Sequence, residues 1–234
     1  MNVQPRRWRW QCLALIVLAT LAYPAQAQDE SLSPGINKNY ENPKVERIVE
    51  QYERENRDVV QHSKEIVAAC ELRPGVDVAD IGAGTGLHTR PIARKVAPDG
   101  KVYAVEITKP FLEQIEKTCR DQGIENVVCV PSKVGSTELD PDSIDLAFLC
   151  DTYHHFEYPQ AILASLHRAL RPGGRLVVVD FEKIEGTSQK WILEHVRAGR
   201  QGVSAEIVKA GFAMDRQMHV DGMIENYMLQ FRRP

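Results

Sequence analysis

The segment CDTYHHFEYP, residues 150–159, holds a dense group of side chains that can do chemistry. It places two adjacent histidines beside tyrosines, acids and a cysteine, which are residue types that ligate metals or exchange protons. Adjacent side chains on a strand or extended loop point in opposite directions, so we predict that His154 and His155 do not share one ion. The other histidines beyond residue 27 are scattered and lack the i, i+4 spacing of a helical zinc pair. The sequence therefore predicts no metal site.

The same two histidines are candidates for proton transfer. An imidazole titrates near neutral pH, which makes His154 or His155 a candidate general base for a hydroxyl or ammonium group. The alternative is a structural role, in which the histidines cap the following helix or pack beneath the loop. Tyr153 and Phe156 are candidates for the wall of a substrate pocket, and an ordinary half-buried position is the alternative for the tyrosine. The sequence leaves these alternatives open.

Strands and helices alternate through the middle of the chain and must position this segment. Runs rich in β-branched residues predict strands at residues 76–81, 101–107, 126–130, 144–149 and 174–181. Helices are predicted between them, at about 87–96, 110–122 and 159–170. This alternation predicts an α/β fold, a Rossmann-like doubly wound and mostly parallel sheet. Ligands of such sheets bind beyond the carboxyl ends of the strands, where the segment leaves the fourth one.

Both ends of the chain depart from this alternation. Residues 43–70 carry apolar residues at three- and four-residue spacing, which predicts one or two amphipathic N-terminal helices. Helices near 188–200 and 204–210 are predicted before the C-terminus. Two late strands follow around an Asp221-Gly222 turn, and strands joined without a long crossover must pair antiparallel.

The first 27 residues have the features of a signal peptide. Three arginines precede an apolar run of about a dozen residues, and Ala25-Gln26-Ala27 is a small-x-small cleavage site. We predict cleavage after Ala27 and export to the periplasm, with a retained membrane anchor as the alternative. The rest of the chain divides into an N-terminal segment with cap helices at 28–71 and one globular domain at 72–234.

The composition of the mature chain limits its partners. Residues 1–27 hold three arginines and no acid, so their removal lowers the formal charge from −3 to −6. A mildly acidic chain argues against bulk binding of nucleic acid through phosphates, and no stable membrane span is expected after cleavage. The remaining cysteines lack CxxC spacing, so we predict free thiols ahead of disulfides at Cys70, Cys119, Cys129 and Cys150. The sequence predicts no oligomeric state.

A glycine-rich loop, DIGAGTG at residues 80–86, joins the first predicted strand to the next helix. Glycines allow the backbone to turn sharply there and to approach a ligand closely, with a tight turn and no ligand as the alternative. The dinucleotide fingerprint needs a third glycine where Leu87 stands, so it is broken. Glu106 follows about 20 residues later and suits the hydroxyls of a ribose. The loop therefore predicts a nucleoside ligand with no pyrophosphate requirement.

Four motifs together resemble the class I S-adenosylmethionine-dependent methyltransferases, in particular the group that includes the ubiquinone/menaquinone-type enzymes. They are VADIGAGTGLHT, YAVEIT, SIDLAFLCDTYHHF and LHRALRPGGRLVVVDF, and they occur in the family's order and spacing. The resemblance extends from about Leu72 to the end of the chain. It implies a Rossmann-like fold, S-adenosyl-L-methionine as cofactor and a small-molecule methyl acceptor as partner.

The resemblance also implies which residues contact the cofactor. By position they are Asp80, Gly82, Gly84, Thr85, Gly86, Glu106, Ile107, Ser132, Cys150 and Asp151. Asp80 and the glycines would face the methionine end, Glu106 the ribose and Ile107 the adenine. Many family members have an acid after the third strand that meets the adenine amino group, and Ser132 stands near that place here.

Acceptor contacts are implied in three regions. Tyr153 and Phe156 follow the fourth strand, and Tyr40 belongs to the N-terminal region, which commonly folds over the pocket in this family. Arg57, in that same region, is predicted to lie on a solvated helix face. His195 lies in the insertion after the fifth strand, where related enzymes often place substrate contacts.

The leading hypothesis is an exported enzyme that transfers a methyl group from S-adenosylmethionine to a small molecule. A noncatalytic nucleoside-binding module with the same fold is the alternative, because the donor is made in the cytoplasm while a signal peptide directs the chain outward. Nicotinamide-dependent oxidoreduction is disfavoured, because Leu87 breaks the dinucleotide fingerprint.

Overall fold

One seven-stranded sheet organises the protein in the computed structural model, which describes residues 30–41 and 43–234. The strands are β1 (Val78–Ile81), β2 (Val102–Glu106), β3 (Val127–Pro131), β4 (Ile144–Cys150), β5 (Leu170–Phe181), β6 (Ala213–Met218) and β7 (Asn226–Arg232). Their order is β3-β2-β1-β4-β5-β7-β6. The first five are parallel, and β7 pairs antiparallel with both β5 and β6. The predicted fold class, with its antiparallel final pair, is confirmed.

Helices cover both faces of this sheet. They are α1 (Val45–Tyr52), α2 (Asp58–Gln61), α3 (Ser63–Ala69), α4 (Thr89–Val96), α5 (Lys109–Asp121), α6 (Pro159–Ala169), α7 (Lys190–His195) and α8 (Arg200–Lys209). In β4, Leu146 and Phe148 face the core on the side of α3 and α4, while Ala147 and Leu149 face the core under α6 and α8. Because alternate residues of a strand point to opposite faces, burial on both sides explains the continuous apolar run.

The strand order reverses direction between β1 and β4. From β1 the chain continues to β2 and β3 on one side, whereas β4 and β5 lie on the other. Ile81 pairs with Leu149, so β1 and β4 reach their carboxyl ends side by side. A crevice forms at such a point, because the segments that leave the two strands turn in opposite directions.

The start of β5 differs from the sequence prediction. The sequence predicted a helix to about residue 170 and a strand from residue 174, but the strand already begins at Leu170 and includes Pro172-Gly173-Gly174. The Gly173 amide donates to the Arg233 carbonyl, and the Arg233 amide donates to the Gly174 carbonyl, both at 2.9 Å. A Cβ at Gly174 would lie 2.7 Å from the Arg171 carbonyl oxygen, so a glycine lets the strand start this tightly.

The N-terminal helices are tied to the C-terminal strands. Asp58, at the start of α2, accepts hydrogen bonds from the backbone amides of Ile224 (2.7 Å) and Glu225. Gly222 lies against His62, where a Cβ would approach the imidazole to 2.8 Å. These contacts place α2 beside the turn that joins β6 to β7. The cap helices predicted for residues 28–71 thus lie beside the sheet.

Two other sequence predictions concern the chain ends and the thiols. The predicted signal peptide, residues 1–27, lies outside the described residues. Within residues 30–41 and 43–234, no helix combines the length and apolar character needed to cross a bilayer. Cys70, Cys119, Cys129 and Cys150 are free thiols, as predicted.

Candidate functional site

A cavity of about 680 Å³ opens at the carboxyl ends of β1, β2 and β4. Its size lies within the range of roughly 300–1,000 Å³ that is typical of small-molecule sites. Predicted site residues that line it are Tyr40, Asp80, Gly82, Gly84, Thr85, Glu106, Ile107, Ser132, Cys150, Asp151, His154, His155 and Phe156. The fold thus brings together residues from five separate parts of the chain. Their roles toward ligands stay predictions.

The three glycines of the loop have different surroundings. Gly82, Gly84 and Gly86 all have positive φ, at +67°, +52° and +77°. A Cβ at Gly84 would meet nothing closer than the Gly82 carbonyl oxygen at 3.8 Å, so its open side faces the cavity. A Cβ at Gly82 would lie 2.3 Å from the Thr152 methyl group, so this glycine allows the chain after β4 to pack against the loop.

Two predicted site residues do not line the cavity. A Cβ at Gly86 would lie 3.0 Å from Ile115 of α5, so this glycine allows the loop to pack on that helix. Tyr153 is fully buried in the core under α6 and α8, and its hydroxyl donates to Glu206 at 2.9 Å. Neither residue borders the cavity, and the predicted cofactor contact of Gly86 and substrate contact of Tyr153 stay predictions. Both residues lie in packing that supports the site.

Glu106, at the end of β2, has a buried carboxylate held by the glycine loop. Oε2 accepts the Gly84 amide at 3.0 Å, and Oε1 accepts the Thr108 amide at 2.9 Å. Burial raises the pKa of Glu106 against the effect of these hydrogen bonds. The carboxylate also borders the cavity, so it can accept hydrogen bonds from ligand hydroxyls such as those of a ribose.

Asp80 lies deep between β1 and the loop. The Thr89 hydroxyl donates to its carboxylate at 2.5 Å. Burial raises the pKa of Asp80 to about 6, and the threonine bond opposes this shift. Asp80 therefore contributes a constrained negative charge at the methionine end of the predicted site, which is the end where a cationic group would be attracted.

Asp151, directly after β4, forms an ion pair that sequence reasoning missed. The Arg57 guanidinium contacts Oδ2 of Asp151 at 2.6 Å, and the side-chain amide of Asn226 donates to Oδ1 at 2.6 Å. Burial raises the pKa of Asp151 to about 6, although the arginine lowers it. The prediction of a solvated Arg57 is wrong, because the packing of α2 against the C-terminal turn carries this side chain into the cavity wall. No local pattern in the sequence signals that pairing.

His154 is bonded to a buried aspartate. Its Nδ1 lies 2.7 Å from Oδ1 of Asp180, and its backbone amide donates to Oδ2 at 3.1 Å. Burial lowers the pKa of His154, but the charge and the hydrogen bond of Asp180 outweigh burial and raise it overall. His154 and Asp180 are therefore a dyad at the end of β4 and β5. Sequence reasoning did not single out Asp180.

His154 and His155 lie on the same side of the chain, contrary to the expected opposite orientation. Residues Tyr153–His155 form a 3₁₀ turn, not an extended loop, and the two ring centroids are 4.3 Å apart. The ring centroid of His195, at the end of α7, lies 5.2 Å from the centroid of each of these two rings. Burial lowers the pKa of His155 to about 3, with further contributions from the other two imidazoles. The candidate base role of either residue stays a prediction.

The N-terminal segment covers one side of the cavity. The Tyr40 ring packs edge-on against His155 at 5.4 Å, and the Thr108 hydroxyl donates to the Tyr40 carbonyl at 3.3 Å. Asn37 donates to the His155 carbonyl at 3.1 Å. Tyr40 thus lies between the end of β2 and the histidines, and its predicted contact with the acceptor stays a prediction.

His88 makes the stability of the protein depend on pH. It is 5% exposed and packs against Phe148, and burial lowers its pKa to about 4. The unfolded chain binds a proton below about pH 6.5, whereas the folded chain resists it until about pH 4. The free energy of unfolding should therefore decrease as the pH falls from about 6.5 to about 4. The contribution of His88 to this decrease is on the order of 3 kcal/mol at pH 4.

Urea unfolding between pH 7 and 4 measures this effect. The His88→Gln variant is expected to show a shallower loss of stability than the natural protein, because glutamine does not titrate. His219→Gln is the matched control, since that side chain is 83% exposed, and it should follow the natural protein. Parallel curves for the natural protein and His88→Gln would contradict the prediction.

Comparison with known proteins connects this site to a family. Residues 79–178 match the family model described as a methyltransferase domain. The ubiquinone/menaquinone biosynthesis C-methyltransferase UbiE of Burkholderia vietnamiensis is 31% identical over 121 residues, which cover 50% of this chain and 48% of that protein. The chain thus spans about half the length of the curated relatives it matches.

Solved structures share the fold. A SAM dependent methyltransferase from Aquifex aeolicus has a TM-score of 0.72 at 21% identity, covering 82% of this chain and 100% of that chain. A possible exported protein from Bordetella parapertussis has a TM-score of 0.60 at 15% identity, covering 75% of this chain and 68% of that chain. Both comparisons concern the arrangement of the sheet and helices.

The sheet order, the glycine loop and the match of residues 79–178 to a methyltransferase-domain model support the resemblance to class I S-adenosylmethionine-dependent methyltransferases. The domain has S-adenosylmethionine as its cofactor, as the four sequence motifs predicted. Over residues 79–178 the chain is similar to the proteins described by the methyltransferase-domain model, as the resemblance to ubiquinone/menaquinone-type enzymes indicated.

Proposed function

We propose that the protein transfers a methyl group from S-adenosylmethionine to a small-molecule acceptor. One observation carries this proposal: the Glu106 carboxylate, the open side of Gly84 and the histidine turn all border the same cavity. Glu106 and Gly84 suit the nucleoside and the amino-acid part of the donor. The methyl group would then lie toward residues 153–156, where an acceptor can enter.

The acceptor end of the cavity favours an apolar or aromatic small molecule. Phe156, Phe181 and Trp191 line this end, and the rings of Phe181 and Trp191 pack edge to face with centroids 4.9 Å apart. Aromatic walls bind flat apolar groups through area burial and edge-to-face contacts. Methyl transfer by in-line displacement needs this kind of alignment, because the reacting atoms must be held in contact.

Export to the periplasm belongs to the same proposal. The support is the pattern of residues 1–27, with basic residues, an apolar run and a small-x-small site. The fold is shared with the possible exported protein from Bordetella parapertussis. Fractionation of cells that express the full chain should place the protein, shortened after Ala27, in the periplasmic fraction. Full-length protein in the cytoplasm would contradict export.

Label transfer tests the methyltransferase proposal. The purified protein is incubated with donor carrying a labelled methyl group and with a small-molecule extract of the source cells. We expect label in an extract component, and much less with Glu106→Gln. A protein that binds the donor but transfers no label to any extract would instead be the noncatalytic module, which the comparisons do not support.

A further inference from the structure

Three histidines from two elements converge at the acceptor end of the cavity. His154 and His155 come from the 3₁₀ turn after β4, and His195 comes from the end of α7. One nitrogen of each ring can be chosen so that all three lie within 4.8 Å of one another. Among the described residues, this group of side chains is close enough together to hold an ion. We propose that His154, His155 and His195 bind one divalent transition-metal ion of the zinc(II) class.

The local backbone explains how adjacent histidines can share one ion. A 3₁₀ helix has about three residues per turn, so neighbouring side chains diverge by about 120° and not by the 180° of a strand. The rings of His154 and His155 therefore lie 4.3 Å apart with an interplanar angle of 43°. The argument from extended geometry, which predicted no metal, does not apply to this conformation.

Asp180 orients His154 in the way that metal-binding histidines are oriented. Its carboxylate accepts a hydrogen bond from Nδ1 of His154 at 2.7 Å. The same carboxylate accepts a second hydrogen bond from the Phe181 backbone amide at 2.8 Å. Histidine ligands usually give their other ring nitrogen to a carboxylate or carbonyl, which fixes the ring and its tautomer. The aspartate thereby leaves Nε2 of His154 as the nitrogen available to a metal.

His155 has a buried nitrogen that lacks a partner. Its Nδ1 is enclosed and makes no hydrogen bond within the described part of the chain. Buried polar atoms are usually satisfied, and this nitrogen belongs to a ring that lies beside two further imidazoles, where an ion could satisfy it. Imidazole suits zinc, copper, nickel and iron, whereas magnesium and calcium prefer oxygen.

The three histidine nitrogens must move closer together to bind one zinc ion. Zinc binds histidine nitrogen at about 2.0–2.1 Å, so three tetrahedral ligands must lie about 3.3 Å apart. His195 is exposed at the end of a short helix, so it can rotate toward the buried pair. Three protein ligands leave the fourth position open, which is characteristic of catalytic and not structural zinc sites. Since all three histidines line the cavity, that position faces the acceptor.

The open position selects a class of acceptor. A bound divalent ion would attract an ionisable oxygen, nitrogen or sulfur atom and would favour loss of its proton. In this step the acceptor proton passes to solvent, the heteroatom forms a bond to the methyl carbon, and the carbon–sulfur bond of the donor breaks with its electron pair staying on sulfur. This step rests on the proposed function, whereas binding of the metal does not.

Metal titration tests the site. The full chain without a polyhistidine tag is treated with chelator, dialysed and titrated calorimetrically with zinc chloride. We expect one equivalent to bind with a Kd in the micromolar range or below. His195→Gln and His155→Asn should weaken binding at least about tenfold, and Asp180→Asn by about 10–100-fold through the orientation of His154. His219→Gln, at an exposed histidine, should bind as the natural protein does.

Cobalt(II) provides a second readout, because three nitrogens and one open position should produce visible absorption bands of a low-symmetry site. Circular dichroism and metal-free thermal unfolding show whether each variant is folded. The inference is overturned if the natural protein binds no stoichiometric zinc, or if folded His195→Gln binds it equally well. Binding of the demethylated cofactor is measured separately, so zinc binding without cofactor binding would overturn the proposed function and leave this site standing.

Discussion

Replacement of Glu106 by glutamine should weaken binding of the demethylated cofactor by about 10–100-fold. Hydrogen bonds to a charged group contribute about 1.5–3 kcal/mol, and each 1.4 kcal/mol corresponds to a factor of ten. The backbone amides of Gly84 and Thr108 now donate to the two carboxylate oxygens of Glu106 at 3.0 and 2.9 Å. A glutamine would place its side-chain NH₂ group, which is a donor, against one of these two donors. The loss therefore combines a missing ribose contact with a displaced loop.

Isothermal titration calorimetry with S-adenosylhomocysteine measures this effect. Glu113→Gln is the matched control, because that side chain lies on α5 and is 62% exposed. It removes the same charge from the same region without touching the cavity. If Glu106→Gln bound the ligand within about threefold of the natural protein, the assignment of the ribose site would be wrong.

Gly84→Ala should weaken the same binding by tenfold or more while leaving the fold intact. The added Cβ would point into open space in the cavity, where the ligand must approach the backbone. The left-handed conformation at φ +52° also costs a non-glycine residue about 1–2 kcal/mol of stability. The effect on affinity is therefore steric, and the effect on stability is conformational.

Gly123→Ala separates these two effects. Gly123 has φ +65° and nothing within 4 Å of its added Cβ, and it lies after α5, away from the cavity. Both variants should lose a similar amount of unfolding free energy in urea, but only Gly84→Ala should lose affinity in calorimetry. Equal affinities for the two variants would mean that the loop does not approach the ligand at this residue.

Much of the fold follows from local patterns in the sequence. The apolar run of β4 predicted a strand buried on both faces, and Ala147 and Leu149 do face the opposite core from Leu146 and Phe148. The glycines at 82, 84 and 86 predicted a sharp turn after the first strand, and all three have positive φ, which an L side chain rarely adopts. These features depend on a residue and its immediate neighbours, so the sequence is sufficient to predict them.

Predictions for individual side chains succeeded less evenly. Glu106 lies in the cavity because the end of β2 adjoins the loop after β1 in any sheet of this order. Tyr153, three residues after β4, is instead buried in the core, where its hydroxyl donates to Glu206. A tyrosine suits either place, and packing of α8 beneath the turn determined which it took.

Local patterns in the sequence were enough to predict the class of fold, the cofactor and the edge of the sheet where the candidate site lies. The pairing of Arg57 with Asp151 and the approach of His195 to His154 and His155 depend instead on tertiary packing. The physical reason is the separation along the chain of the residues that interact. Glycine conformation and strand periodicity depend on neighbouring residues, whereas these contacts join elements that are far apart in sequence. Their positions depend on how α2 and α7 pack on the sheet, and no spacing between residues encodes that packing directly.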